Sequence, residues 1–336
     1  MEIGMLTLLG KTVTLMESMG FLWLVYSGFE LGLWESLKED RSVEEILELN
    51  PDWDPQILEH WLEQARIQGL LLLDNEKYRL NRVGKAISFY QDYGLEAMYK
   101  EFALYWGPVF AQLPQLITQE AVRPSMEGEM SNELISRASR ASESFVWPLL
   151  KGKCEKEHWG KILDVGCGEG FYLRKFMEEF PKIYGLGIEI NHAVVERALS
   201  QSNPYHERLK IECGNIFDYA DPVEKYDCCL LNNNIYYFST EQRIELLARV
   251  KKWLVPGGQI GILTALRGKS SSLPFIQTHI PQNLMSFFLT CHEGFEGLPY
   301  EQEIIKLLGD SGFTEIEVVP LPFKVSHYFF ARAPLE

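Results

Sequence analysis

Along the first forty residues, Leu15, Met19, Leu22, Tyr26 and Phe29 recur at spacings of three and four, which lays one apolar stripe along a helix. A small N-terminal domain has little room to cover so much apolar surface. The pattern therefore predicts either a core helix or a helix shared with a second copy of the chain. Ser42-Val-Glu-Glu45 is a capping box that opens a short helix to about Leu49. Asp54 caps another, with Pro55 at its first position, Ile57, Leu58, Trp61, Leu62 and Ile67 along it, and Gly69 at its end. Leu71-Leu72-Leu73 and Tyr78-Arg79-Leu80 flank the polar turn Asp74-Asn75-Glu76-Lys77 and predict a hairpin. Helix, helix, hairpin is the order of a winged helix.

Residues from about 85 to 158 read as helical and rich in aromatics, among them Tyr99, Phe102, Tyr105, Trp106 and Phe110, with Pro108, Pro114 and Pro124 dividing the stretch. Most of these rings fill a core, and a few are expected to roof a pocket for an apolar substrate. From Lys161 onward, short β-rich runs alternate with amphipathic helices. Strands are predicted at 161–165, 183–189, 208–213, 226–232, 258–264, 315–320 and 325–333, and helices at about 171–180, 191–202, 240–254 and 301–311. The last two strands are joined too closely for a parallel crossover, so they pair as a hairpin or lie apart. The expected fold class is α/β, a Rossmann-like seven-stranded domain behind an all-helical, winged-helix N-terminal domain. Its expected boundaries are 1–100 for dimerisation, 101–157 for a helical linker and substrate lid, and 158–336 for catalysis.

Composition narrows the function. The chain has 336 residues, 46% hydrophobic and 24% charged, with a net charge of −15. Its acidity repels phosphate backbones, and the helix before the hairpin offers Glu59 and Glu63 against Arg66 alone, which argues against nucleic acid. The six cysteines form no CxxC pair, which argues against a zinc site and for a reducing cytoplasm. The uncharged run from Ser18 to Phe29 is shorter than the roughly 20 residues of a membrane span. The start lacks the basic, small-residue pattern of a secretory signal. No membrane partner is expected.

The strongest chemical signal is Lys161-Ile-Leu-Asp-Val-Gly-Cys-Gly-Glu-Gly170, a buried strand running into a glycine turn and a helix. Gly166, Gly168 and Gly170 let the backbone approach a ligand closely. Asp164, two residues before the turn, disfavours a nucleotide phosphate and welcomes an ammonium group, so it points to the zwitterionic end of S-adenosylmethionine. Glu189 ends the next strand about 20 residues further on, the spacing at which an acid accepts from ribose hydroxyls. Ile190 beside it is placed against the adenine face. Asn215 offers a donor and an acceptor to the adenine edge, with Ile216 counted beside it and Phe217 as a cover for the ring. Asn232, Asn233 and Asn234 lie at the carboxyl end of a strand, where ligands sit in open α/β sheets. Alternation prevents all three from facing one way, and Asn232 is assigned to the cofactor.

These segments, together with Tyr226-Asp227 through Asn234 and Leu254-Val-Pro-Gly-Gly258, resemble the ordered motifs of class I S-adenosylmethionine-dependent methyltransferases over about residues 158–333. With the N-terminal region included, the whole chain resembles the dimeric small-molecule methyltransferase family that contains plant and bacterial O-methyltransferases. The resemblance implies S-adenosylmethionine as cofactor, a homodimer through the N-terminal helices, a small aromatic or apolar acceptor, and a last strand inserted antiparallel. It implies in-line methyl transfer onto oxygen or carbon.

One position departs from the family. Where its members carry a catalytic His, this chain has Tyr236, a poor general base at an ordinary pKa near 10. Three routes remain: an acceptor already acidic, a carbon, nitrogen or sulfur nucleophile, or a base elsewhere. His279, His292 and Glu293 lie in the region that often lines the acceptor pocket, so Tyr236, His292 and Glu293 are the catalytic candidates. A His–carboxylate metal site is conceivable there, but no metal is assigned. A non-catalytic sensor of the same ligand and an NAD-dependent oxidoreductase are the competing classes.

Overall fold

The computed structural model describes residues 2–125, 137–138, 140–268 and 280–335. The chain divides into two compact units, Met1–Ala111 with Glu129–Ala141 and Gln112–Gly128 with Ser142–Glu336. Residues 101–157, expected as one linker, are thus shared between the two.

The first unit opens with a 29-residue helix, Glu2–Glu30. Its second half is held by a core in which Leu24, Val25, Leu33, Trp34 and Leu37 are buried, and the Trp34 indole donates to the Val25 carbonyl at 3.0 Å. Its first half is bare: Leu6 and Met16 are each 69% exposed, and Met5, Leu8, Leu9 and Val13 are exposed too. The sequence stripe is thus only partly a core stripe. The helix runs on through Glu17, which bounds the uncharged run on its N-terminal side, and through Lys11 before it. By length and composition alone Gly4–Glu30 is capable of crossing a bilayer, a property it shares with core helices and signal sequences.

The capping signals act as the sequence predicts. The Ser42 hydroxyl accepts from the Glu45 amide at 3.2 Å while the Glu45 carboxylate accepts from the Ser42 amide at 2.7 Å. Asp54 accepts from the Ile57 amide at 2.9 Å at the start of the helix Pro55–Ile67. Strands β1 (Leu71–Asp74) and β2 (Lys77–Leu80) pair antiparallel around Asn75 and Glu76, both at positive φ.

The second unit is a seven-stranded sheet: β3 (Lys161–Val165), β4 (Tyr184–Glu189), β5 (Leu209–Cys213), β6 (Tyr226–Asn232), β7 (Leu254–Ala265), β8 (Thr314–Pro320) and β9 (Ser326–Arg332). Their order is β5-β4-β3-β6-β7-β9-β8. β3 to β7 run parallel, and β9 is antiparallel to both β7 and β8. The predicted terminal hairpin forms, and its second strand is the one inserted. Helices cover both faces, so strand residues alternate between two cores. Leu163, Val165, Cys229 and Leu231 pack on one side, and Ile162, Cys228, Leu230 and Tyr328 on the other. Two features lie outside the sequence prediction. β7 starts at Leu254, pairing with Tyr226 before a register shift, and a helix runs over Ile280–Thr290.

Candidate functional site

β3 ends in the turn Gly166–Gly170, and the helix Phe171–Glu179 leaves it. Gly166, Gly168 and Gly170 all have positive φ. At Gly166 a Cβ would also stand 2.6 Å from the Asn234 amide nitrogen, so no other residue fits without displacement. The turn is tied to the end of β4, where the Ile188 carbonyl accepts from the Gly166 amide at 2.7 Å and from that of Cys167 at 3.2 Å.

Glu189 organises the mouth of the site. One carboxylate oxygen accepts from the Gly168 amide and the other from the Asn191 amide, each at 3.0 Å. Each oxygen keeps a lone pair for a further donor, which is what recognition of two ribose hydroxyls requires. Glu169, the residue between the last two glycines, is taken up by Arg197 at 3.0 Å.

Asp164 is 1% exposed, and its Oδ1 has no partner among the described residues. Burial pushes its carboxyl well above the usual carboxylate range, and the Glu189 charge pushes the same way. A buried acid without a partner is costly, and an ammonium group supplied by a ligand would relieve that cost. Asn232 lies on the same face of the neighbouring strand, two residues beyond Leu230, the register partner of Asp164. Asn234 fills a structural place, donating to the Val165 carbonyl beneath the turn. Asn233, at φ 55°, lets the chain leave β6. The asparagine run is therefore divided between tasks, as alternation demands.

On the adenine side, Ile190 is 68% exposed and free to serve as a platform. Asn215 is exposed and its side-chain oxygen accepts from the Phe217 amide at 3.0 Å, which turns its amide nitrogen to donate elsewhere. The Ile216 side chain is buried in the core and offers a ligand no surface. These residues fit the three parts of S-adenosylmethionine: Asp164 the ammonium, Glu189 the ribose, Ile190 and Asn215 the base.

The catalytic candidates separate. Tyr236 lies 5% exposed in the short helix Ile235–Tyr237, its ring centroid 4.8 Å from that of Tyr237. Tyr237 meets Phe295 at 5.2 Å, and Phe295 meets His292 at 6.3 Å. One aromatic group thus links Tyr236 to His292. His292 is fully buried, its Nδ1 2.9 Å from the Phe288 carbonyl, and burial holds its imidazole below the ordinary value. Glu293 is exposed, and its backbone amide donates to the Pro124 carbonyl at 3.1 Å. His279 lies outside the described residues. Among the described residues no group of three His, Cys, Asp or Glu is placed to hold a metal. Two clefts of about 320 and 380 Å³ share Arg267 and Tyr300, and neither is lined by Asp164, Glu189 or the glycine turn.

A polar layer escaped the sequence reading. Tyr172 and Tyr328 are buried, which raises their pKa values, and lie close enough to Asp164 for its charge to raise them further; the buried Glu143 acts on Tyr172 in the same way. The signal was present, since a tyrosine in the otherwise apolar run Tyr328-Phe-Phe-Ala331 is buried only at the cost of placing its hydroxyl.

Residues 162–258 match a family model described as a methyltransferase domain. The tetracenomycin polyketide synthesis 8-O-methyl transferase TcmO of Streptomyces glaucescens is 28% identical over 221 residues, 62% of each chain. O-methyltransferase 12 of Dictyostelium discoideum is 29% identical over 101 residues, 30% of this chain and 27% of that one. The chain matches between 27% and 62% of the length of these and the other curated relatives. Among solved structures, the mitomycin 7-O-methyltransferase MmcR superposes at a TM-score of 0.77 with 16% identity, covering 99% of this chain and 100% of that one. Residues 162–258 thus carry a methyltransferase domain, and the chain, with its glycine turn behind a buried acid and its inserted antiparallel β9, has the fold of the solved O-methyltransferases.

Proposed function

We propose that the chain transfers a methyl group from S-adenosylmethionine to a hydroxyl of a small aromatic or apolar molecule, as a cytoplasmic homodimer joined through a winged-helix-like first unit. The observation that carries this reading is the pairing of a partnerless buried Asp164 with a Glu189 already organised on the glycine turn. Oxygen as the acceptor atom rests on the similarity to O-methyltransferases. The dimer rests on the bare apolar half of Glu2–Glu30.

The cofactor supplies a sulfonium methyl open to in-line displacement. The protein's share is alignment and exclusion of water, and alignment alone contributes several kcal/mol. We assign proton removal to His292. Its Nδ1 lies within hydrogen-bond distance of the Phe288 carbonyl, which orients the ring, and burial lowers its pKa and favours the neutral imidazole. Tyr236 is given an orienting role. Glu293 is given none in proton transfer, since its side chain is exposed where that of His292 is buried.

The test is turnover of methyl-labelled S-adenosylmethionine with a panel of phenols, with and without chelator, comparing His292→Gln. The expected result is chelator-independent methylation, slowed about 100- to 10,000-fold by the substitution, with S-adenosylhomocysteine binding kept. If the intact protein does not bind S-adenosylhomocysteine, the whole reading falls. Full activity in His292→Gln removes the base assignment alone.

A further inference from the structure

In this site β6, β7 and β9 carry Asn232, Leu263 and Tyr328 as one lateral row across three strands. Tyr328 does not stand upright in that row. Its ring stacks on Phe330, with centroids 4.5 Å apart and planes 22° apart, and lies over Gly261. A Cβ at Gly261 would stand 2.9 Å from the Tyr328 ring and 3.0 Å from its oxygen. The missing side chain therefore clears the path by which the phenol crosses β7. At its end the hydroxyl donates to Oδ1 of Asn232 at 3.0 Å. The other end of that amide, Nδ2, is buried and has no partner among the described residues.

A phenol that donates selects the oxygen of an amide, so Tyr328 fixes which end of Asn232 is spent and which is kept. The end kept is a donor. Asp164, on the same sheet face of the adjacent strand, keeps a partnerless acceptor. One buried donor and one buried acceptor at the carboxyl ends of neighbouring strands match a zwitterion. We infer that Tyr328, lying across Gly261, positions Asn232 so that its Nδ2 donates to the α-carboxylate of the cofactor's amino-acid moiety while Asp164 takes the α-ammonium. This rests on the cofactor reading above and adds a positioning residue two strands away from its ligand.

The experiment measures calorimetric affinities of two probes for the intact chain. S-adenosylhomocysteine carries the amino-acid moiety, and 5′-methylthioadenosine carries the same nucleoside without it. Tyr328→Phe keeps the ring and its stacking on Phe330. It is expected to weaken S-adenosylhomocysteine about tenfold, as for one lost orienting hydrogen bond, and to leave 5′-methylthioadenosine unchanged. Gly261→Ala, which displaces the ring, is expected to do the same. Asn232→Ala is expected to weaken S-adenosylhomocysteine at least as much, and adding Tyr328→Phe to it should cost nothing further. Equal weakening of both probes, no weakening of either, or additive losses in the double variant would each overturn the inference. If the unaltered chain binds neither probe, the cofactor reading fails first, and that failure is distinct from these.

Discussion

Replacing Glu189 by Gln changes one atom's chemistry and little else. In the native site both carboxylate oxygens already accept from backbone amides, those of Gly168 and Asn191, at 3.0 Å each. A glutamine keeps one acceptor and turns an NH₂ toward the other amide. One hydrogen bond to a charged group is lost, worth about 1.5–3 kcal/mol, and one N–H is left facing a donor. The ribose hydroxyls also meet one acceptor where there were two. Some of this loss falls on the stability of the turn rather than on binding, which leaves roughly 2–4 kcal/mol for the ligand. That is about a 30- to 1,000-fold rise in Kd. Because the ribose is common to both probes, calorimetry should show S-adenosylhomocysteine and 5′-methylthioadenosine weakened alike, the opposite of the selective loss expected for Tyr328→Phe. Affinities within threefold of the unaltered chain, at an unchanged melting temperature, would refute the assignment of Glu189 to the ribose.

Three further expectations concern charge, stability and assembly. Burial holds Asp164 protonated above the usual carboxylate range, and a bound ammonium favours its ionised form, so binding should release a proton. S-adenosylhomocysteine affinity should then rise with pH until the free Asp164 ionises and level off beyond; a pH-independent Kd, or Asp164→Asn behaving like the native chain, would count against this. The same raised pKa means the folded state binds more protons than the unfolded one between the two pKa values, so Asp164 lowers stability as pH rises across that window. Asp164→Asn should flatten that decline in chemical denaturation, and an unaltered slope would show that other groups set it. Finally, Leu6→Glu with Met16→Glu places charges on the bare half of Glu2–Glu30. Sedimentation should show a dimer for the native chain and a monomer for the variant; a native monomer ends the dimer proposal.

What could be read from the sequence follows the range of the forces involved. The cofactor turn was legible because its requirements are local: an apolar strand, an acid at its end and three glycines within five residues. The caps at Ser42 and Asp54 were legible for the same reason. The helix Ile280–Thr290 carried a usable sign, Pro281 near its start, which the strand-and-helix alternation did not pick up. The early start of β7 was hidden because Pro256-Gly257-Gly258 reads as a turn, and only the pairing of Leu254 with Tyr226 extends the strand past it. The separation of His292 from Glu293 was not readable, since neighbours in sequence diverge according to what packs on each. Tyr328 and Asn232 are 96 residues apart, and no local pattern announces that Gly261 lies between them.

The placing of β9 inside β8 also fixes the order in which the sheet can be completed. β8 reaches the ribosome exit first, yet it has no partner in the sheet until Ser326–Arg332 arrives to sit between it and β7. Until then the long strand β7 presents an open edge, and Phe329, Phe330 and Ala331, buried in the finished fold, are missing from both cores. A nascent or prematurely terminated chain that stops after Pro320 therefore lacks an interior strand rather than an ornament. It exposes the kind of unpaired edge on which chains associate. Quality control in the cell would meet such a product as an aggregation-prone species, not as a slightly shortened enzyme.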